Sequence, residues 1–248
     1  MPRVKNRRLD QILVFNGLAK SRDRAQALIM AGLVYSGSKR LDKAGMQLPE
    51  TIELELKGQD HPWVSRGGLK LDHALNFFQL NIHNKICLDI GASTGGFCDV
   101  LLSKGASRVY AVDVGRGQLA WKIRNNNKVK VLEKVNARYI TDTEVPEKID
   151  FICCDASFIG LRTILPASLK LTQAGAKLVA LVKPQFEVSK SQVGSKGVVR
   201  DPKLHVEVCD SISDWLTGLA NWRVIGVEKS PITGPRGNIE FLIAAYRF

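Results

Sequence analysis

The sequence predicts an α/β protein: a mostly parallel seven-stranded sheet with helices on both faces, preceded by a small α+β domain. Three observations predict this. From residue 86 onward seven short apolar runs (KICLDIG, SRVYAVDVG, KVKVLE, IDFICCDAS, AKLVALVKP, WRVIGVEKS and NIEFLIAAYRF) alternate with amphipathic stretches, the pattern of buried parallel strands joined by crossover helices. Ahead of them the segment GQDHPWVSRGG, beginning at residue 58, is rich in Gly, Pro and polar residues and marks a break in the chain. Before that break the periodicities are short and mixed. The expected organisation is a first domain over 1–60, a linker over 61–68 and a second domain over 69–248. The last two apolar runs have no helical stretch between them, so the final strand is expected to run antiparallel beside its predecessor.

Within the first domain, RRLDQILVFNG at residues 7–17 places Leu9, Ile12 and Leu13 on one helical face and ends on Gly17. Ser21 sits where an N-cap belongs, Ala25, Leu28 and Ile29 repeat at helical spacing, and Gly32 closes a second helix. LVYSG and TIELELK read as two small strands around the turn-like segments SGSKR and DKAGMQLPE.

Charge points to a partner class. The chain carries a net charge of +12, and a basic surface concentrates and captures polyanions. Residues 1–24 hold seven cations, Arg3, Lys5, Arg7, Arg8, Lys20, Arg22 and Arg24, against Asp10 and Asp23. With Arg66 at the break, these are the candidate contacts to nucleic acid. Five cysteines show neither paired C-x-x-C spacing nor an even framework, so no metal site and no disulfides are expected. The basic start lacks an apolar core and no run approaches a membrane span, which makes a cytoplasmic location the expectation and a pore-forming role poorly supported.

LDIGASTGGF at residues 88–97 joins a buried strand to a helix through Gly91, Gly95 and Gly96. Glycines at such a turn let a ligand approach the main chain. Asp113 ends the next strand, where a carboxylate accepts hydrogen bonds from the two hydroxyls of a nucleoside ribose. The spacing departs from the G-x-G-x-x-G of dinucleotide binders and lacks the Gly-Lys-Ser/Thr of a phosphate loop, so S-adenosyl-L-methionine, which has no pyrophosphate, is the better match; a nicotinamide enzyme is the alternative.

Asp155 and Lys183 close their strands, and Glu240 opens a strand running the other way, so all three fall at the carboxyl edge where open α/β sheets bind ligands. Lys70 lies in RGGLKLDHAL, a helix just ahead of the first strand of the sheet. A lysine, ordinarily protonated below about pH 10, acts as a base only where burial or a second cation favours the neutral amine. Lys70 near Lys183 would supply that second cation, and Asp155 with Glu240 would hold the amine in line.

The set Lys70, Asp155, Lys183 and Glu240 resembles the K-D-K-E tetrad of FtsJ-like ribose 2′-O-methyltransferases. Along nearly the whole chain RGGLKL, LDIGASTGGF, VDVGRGQLAW, DASFIGL, LVKPQFE, GVVRDPKLH and SPITGPRGNIEFL resemble the motifs of the TlyA family, also labelled hemolysin A, and residues 8–34 resemble the S4-like RNA-binding module. That resemblance implies a class I, Rossmann-like methyltransferase domain that uses S-adenosyl-L-methionine on cytidine ribose in the RNA of ribosomal subunits. It implies Lys183 as base, Lys70, Asp155 and Glu240 as orienting groups, and Asp89, Gly91, Ser93, Gly95, Gly96, Asp113 and Asn136 around the cofactor. Cys98, Arg116 and Arg236 depart from the family's commoner Thr, aromatic and Glu. The long segment 185–205, carrying Lys190, Lys196 and Arg200, is expected to order on RNA. A non-catalytic RNA-binding assembly factor is the competing reading, favoured by the basic first domain and opposed by the intact tetrad.

Overall fold

The computed structural model describes residues 5–30, 32–57 and 61–248. It divides into two compact units, Met1–Arg66 and Gly67–Phe248. The division falls inside the expected linker, because Gly67 already opens a helix. Arg3 lies outside the described residues.

The first unit runs β1 (Asn6–Arg8), α1 (Leu9–Phe15), α2 (Arg22–Met30), β2 (Val34–Ser36), β3 (Lys39–Arg40), β4 (Gln47–Pro49) and β5 (Glu55–Leu56). β1 pairs antiparallel with β4, and β2 sits between β3 and β5. Leu9 and Leu13 of α1 meet Ala25, Leu28 and Ile29 of α2, with Val34 and Leu41 completing a small core. Ser21 Oγ accepts a hydrogen bond from the Arg24 backbone N–H at 3.1 Å, the cap that starts α2.

Two details differ from expectation. Arg7 and Arg8 belong to β1 rather than to a helix, since Arg7 pairs with Leu48 and the Leu9 N–H still donates across to Met46. The segments read as turns contain β3 and β4. Strands of two or three residues are too short to display the alternation by which strands are recognised.

The second unit contains α3 (Gly67–Phe77), β6 (Ile86–Ile90), α4 (Gly96–Ser103), β7 (Arg108–Asp113), α5 (Trp121–Arg124), β8 (Val129–Glu133), β9 (Ile149–Cys154), α6 (Leu161–Leu169), β10 (Thr172–Val182), α7 (Pro184–Glu187), α8 (Pro202–Gly218), β11 (Trp222–Lys229) and β12 (Phe241–Arg247). Its seven strands are ordered β11-β12-β10-β9-β6-β7-β8. The five strands β6 to β10 run parallel, and β12 runs antiparallel to both β10 and β11. Their interior positions are mostly apolar: Leu88, Ile152, Leu178, Ala180 and Ile243 are each sealed from solvent. The strand order reverses direction at β6, so the crevice beyond the ends of β6 and β9 is a switch point, where open α/β sheets place ligands.

Segment 185–205 carries short local elements of its own. Two turns of 3-10 helix, Lys190–Gln192 and Ser195–Gly197, follow α7. The buried Asn238 ties the segment down: its Oδ1 accepts from the Val199 N–H at 3.2 Å and its Nδ2 donates to the Gly197 carbonyl at 2.9 Å. Asp201 then caps α8 by accepting from the Lys203 N–H at 2.9 Å, with Pro202 in the first turn.

Candidate active site

Strand register assembles the four charged residues. Val182 lies opposite Phe241 in the β10–β12 ladder, so Lys183 and Glu240 are the next residues beyond that last pair. Ile90 and Cys154 are partners in the β6–β9 ladder, so Gly91 and Asp155 leave the sheet side by side. Gly91 has φ +81°, and a β-carbon there would stand 3.0 Å from the Asp155 carbonyl oxygen. Only glycine fits both the dihedral and the gap. Lys70 arrives from the first turn of α3, whose Leu71, Ala74 and Leu75 are buried.

Lys70 Nζ donates to Glu240 Oε2 at 2.7 Å and to Asp155 Oδ2 at 3.2 Å. Lys183 Nζ pairs with the other oxygen of the same carboxylate, Asp155 Oδ1, at 2.5 Å. Asp155 therefore bridges the two lysines. Lys70, Lys183 and Glu240 are 7, 6 and 1% exposed, a burial that charged groups tolerate only when paired. Burial alone would lower the Lys70 pKa; the adjacent Asp155 and Glu240 carboxylates outweigh it and raise it. Lys70 is thus held as an ammonium. Glu240 grips Lys70 rather than Lys183, so its hold on the second lysine is indirect, which corrects the expectation that both carboxylates align that amine.

A cavity of about 450 Å³ opens beside Asp155, within the range typical of small-ligand sites. Gly91, Ser93, Asp113, Asn136 and Asp155 lie on its wall, as do Gln118, Arg138, Ser157 and Phe158. Asp113 receives the Ser93 N–H at 2.8 Å on Oδ2 and the Gly115 N–H at 2.7 Å on Oδ1. Each oxygen keeps a further lone pair. Asn136 Oδ1 caps the 3-10 turn Ala137–Tyr139 by accepting from the Arg138 N–H.

Three expected cofactor residues are not on that wall. Gly95 packs instead toward Leu119 and Ile123, and Gly96 is buried at the start of α4. Asp89 is wholly enclosed beneath the glycine turn, where its Oδ2 accepts from the Cys98 thiol at 3.0 Å and its Oδ1 has no partner. Burial pushes this carboxyl up to about 7, against the opposing hydrogen bonds from Cys98 and Cys153. Cys98, a departure from the commoner Thr, is therefore the donor to Asp89; Arg236, another departure, donates from Nη1 to the Lys196 carbonyl at 2.6 Å.

Ser157 and Phe158 were not singled out from sequence, although both stand in the motif DASFIGL. Ser157 Oγ accepts a hydrogen bond from Lys183 Nζ at 3.2 Å. Phe158 is 90% exposed with φ +66°, a backbone region bulky residues rarely occupy. Its ring rests on Phe186 with centroids 5.3 Å apart.

In the first unit several of the candidate RNA contacts also hold structural partners. Arg8 makes a two-pronged bond to the buried Asp10, which Arg22 also reaches at 3.3 Å. Arg24 donates to the His61 carbonyl at 2.6 Å, and Arg7 pairs with Glu50 while lying over the Phe15 ring. These four arginines have structural partners as well as charge. Lys5, Lys20 and Arg66 are exposed.

A doubly wound sheet with a small-molecule cavity at its switch point, flanked by paired lysines and carboxylates, defines an α/β enzyme of the nucleoside-binding kind. Among the described residues no cluster of His, Cys, Asp or Glu could hold a metal ion, and no helix is long and apolar enough to cross a membrane. The chain belongs to the FtsJ-like methyltransferase family, whose pattern matches residues 63–247, and an S4 domain matches residues 7–51. It is 47% identical over 240 residues to YqxC of Bacillus subtilis, covering 96% of this chain and 85% of that one. It is 43% identical to the 16S/23S rRNA (cytidine-2′-O)-methyltransferase TlyA of Mycobacterium tuberculosis, covering 97% and 90% of the two chains. A solved Streptococcus thermophilus protein carrying a hemolysin label superposes with a TM-score of 0.76 at 42% identity, covering 98% and 89%.

Proposed function

We propose that this methyltransferase transfers a methyl group from S-adenosyl-L-methionine to a cytidine ribose 2′-hydroxyl in ribosomal RNA, with Lys183 as the base. The observation that carries the reading is the Lys183 amine, buried in an ion pair with Asp155, a residue on the wall of the nucleoside cavity. The tuberculosis relative, alike over nearly its whole length, is named for this reaction.

The residues present fit the cofactor. Gly91 lies on the cavity wall, Asp113 has acceptor capacity for a ribose diol, and Gly91, Ser93, Asp113 and Asn136 would hold the nucleoside. The bound cofactor supplies an electrophilic methyl group on a positively charged sulfur. Lys70, Lys183, Asp155 and Glu240 sum to zero formal charge when both lysines are protonated. A neutral Lys183 leaves the site at −1, complementary to that cation.

The ribose hydroxyl is a very weak acid, and its proton must leave as the new C–O bond forms. Lys183 takes it. Asp155 holds the amine at the cavity wall and stabilises the ammonium that results. Lys70 remains an ammonium throughout and fixes Asp155 from behind, and Glu240 fixes Lys70. The first unit, with Lys5, Lys20, Arg22 and Arg66, would carry the phosphate contacts that place the RNA, contacts that position without reading bases. The protein would work where ribosomal subunits are assembled, in the cytoplasm.

Mass-spectrometric mapping of ribose methylation in ribosomal RNA tests the reading. RNA from cells lacking the protein is expected to lose a methyl group from at least one cytidine ribose, restored on re-expression. An unchanged methylation map would overturn it.

A further inference from the structure

Ser157 is the second oxygen acceptor on the Lys183 amine, and what it does there follows from the shape of nitrogen. A neutral lysine amine has four tetrahedral directions: the bond to Cε, two N–H bonds and one lone pair. Asp155 Oδ1, at 2.5 Å, takes one N–H. With that contact alone, the lone pair could occupy either of the two remaining directions. The Ser157 hydroxyl oxygen, at 3.2 Å, accepts the second N–H, and while it accepts, the lone pair is left a single direction.

We propose that Ser157 is a positioning residue that aims the Lys183 lone pair at the ribose hydroxyl. The inference rests on Lys183 acting as the base and deepens that reading. Asp155 is poorly suited to do this alone, because its Oδ2 is committed to Lys70 at 3.2 Å and the carboxylate cannot turn to follow the amine. Ser157 is held independently. It follows Ala156, whose Cα would lie 3.2 Å from a β-carbon on Gly91, so the backbone under the serine is wedged against the glycine turn. The residue also lies on the cavity wall and is solvent-exposed. An exposed serine whose oxygen turns inward to a buried lysine is not needed to fill space, which separates an orienting role from a packing one.

The test compares full-length Ser157→Ala, Ser157→Thr and Lys183→Ala proteins on unmethylated ribosomal subunits. For Ser157→Ala the expected result is a fall in kcat of about tenfold, a part of the roughly hundredfold or more that positioned proton transfer contributes, with KM for the subunit and melting temperature unchanged. Ser157→Thr, which keeps the hydroxyl, is expected to recover most of the rate. An unchanged kcat in Ser157→Ala overturns the proposal. So does a loss that threonine fails to restore in a protein of normal melting temperature, or a loss confined to cofactor affinity. Lys183→Ala separates the two levels: if it still transfers methyl groups, the base assignment itself falls, whatever Ser157 does.

Discussion

Gly234 lies against the Glu240 carboxylate so closely that a β-carbon at position 234 would stand 2.1 Å from Glu240 Oε1. The two residues belong to one turn, closed by the Gly234 N–H donating to the Asn238 carbonyl at 2.9 Å. Absence of a side chain at 234 is thus a condition for Glu240 to reach Lys70.

Gly234→Ala is expected to push Glu240 off Lys70 and to lower kcat at least tenfold. Affinity for S-adenosylhomocysteine should hold, since neither residue lies on the cavity wall. Steady-state kinetics beside calorimetric titration checks both. Wild-type kcat in the alanine variant would show that Glu240 has no part in the rate.

Lys70→Met should be more damaging to stability than to cofactor binding. It leaves Asp155 and Glu240 facing each other without the ammonium that both contact, and removing one partner of a buried ionic cluster costs about 3–5 kcal/mol. Chemical denaturation measures the loss, and Lys70→Met combined with Glu240→Leu should recover part of it.

Asp89 makes stability depend on pH in a predictable direction. The folded state holds this proton up to about pH 7, far above the ordinary 3.8. The folded state then binds more protons than the unfolded one between those values, so this carboxyl lowers stability as pH rises through about 4 to 7. The gap corresponds to roughly 4 kcal/mol at most. Asp89→Asn should gain stability relative to wild type over that window and show no relative gain at pH 3.5. A difference between the two proteins that is constant with pH would contradict the account.

Asp10 acts with the opposite sign in the first unit. Burial would raise its pKa, but hydrogen bonds from Arg8, Gln26 and Arg22, with attraction to Arg8, bring it down to about 2. Its contribution of about 2 kcal/mol is full above pH 4 and is lost as pH falls toward 2. Asp10→Ala should melt the first unit several degrees earlier at neutral pH, read by hydrogen exchange of α1 and α2.

The sheet was legible because its central strands are buried on both faces, so they appear as apolar runs, and their order along the chain sets which ends meet. That order puts Asp155, Lys183 and Glu240 at one edge. The pairing among them was not legible: spacing cannot tell that Asp155 spans both lysines or that Glu240 reaches only Lys70. Asp89 and Asp113 each stand two residues before a glycine, yet one is enclosed among thiols and the other lies on the cavity wall: Asp89 is paired with Ala111 inside the β6–β7 ladder, while Asp113 lies one residue past its last pair. In the first unit charge alone suggested RNA contact for Arg8 and Arg22. Both also serve a buried aspartate, a use that sequence distance conceals.

Single-turnover methyl transfer by Lys183→Ala tests the central claim most directly, measured on ribosomal subunits lacking the modification and with saturating cofactor. The account predicts that RNA binding and cofactor affinity survive while the transfer rate falls by at least two orders of magnitude. Transfer at the wild-type rate by that variant would contradict it.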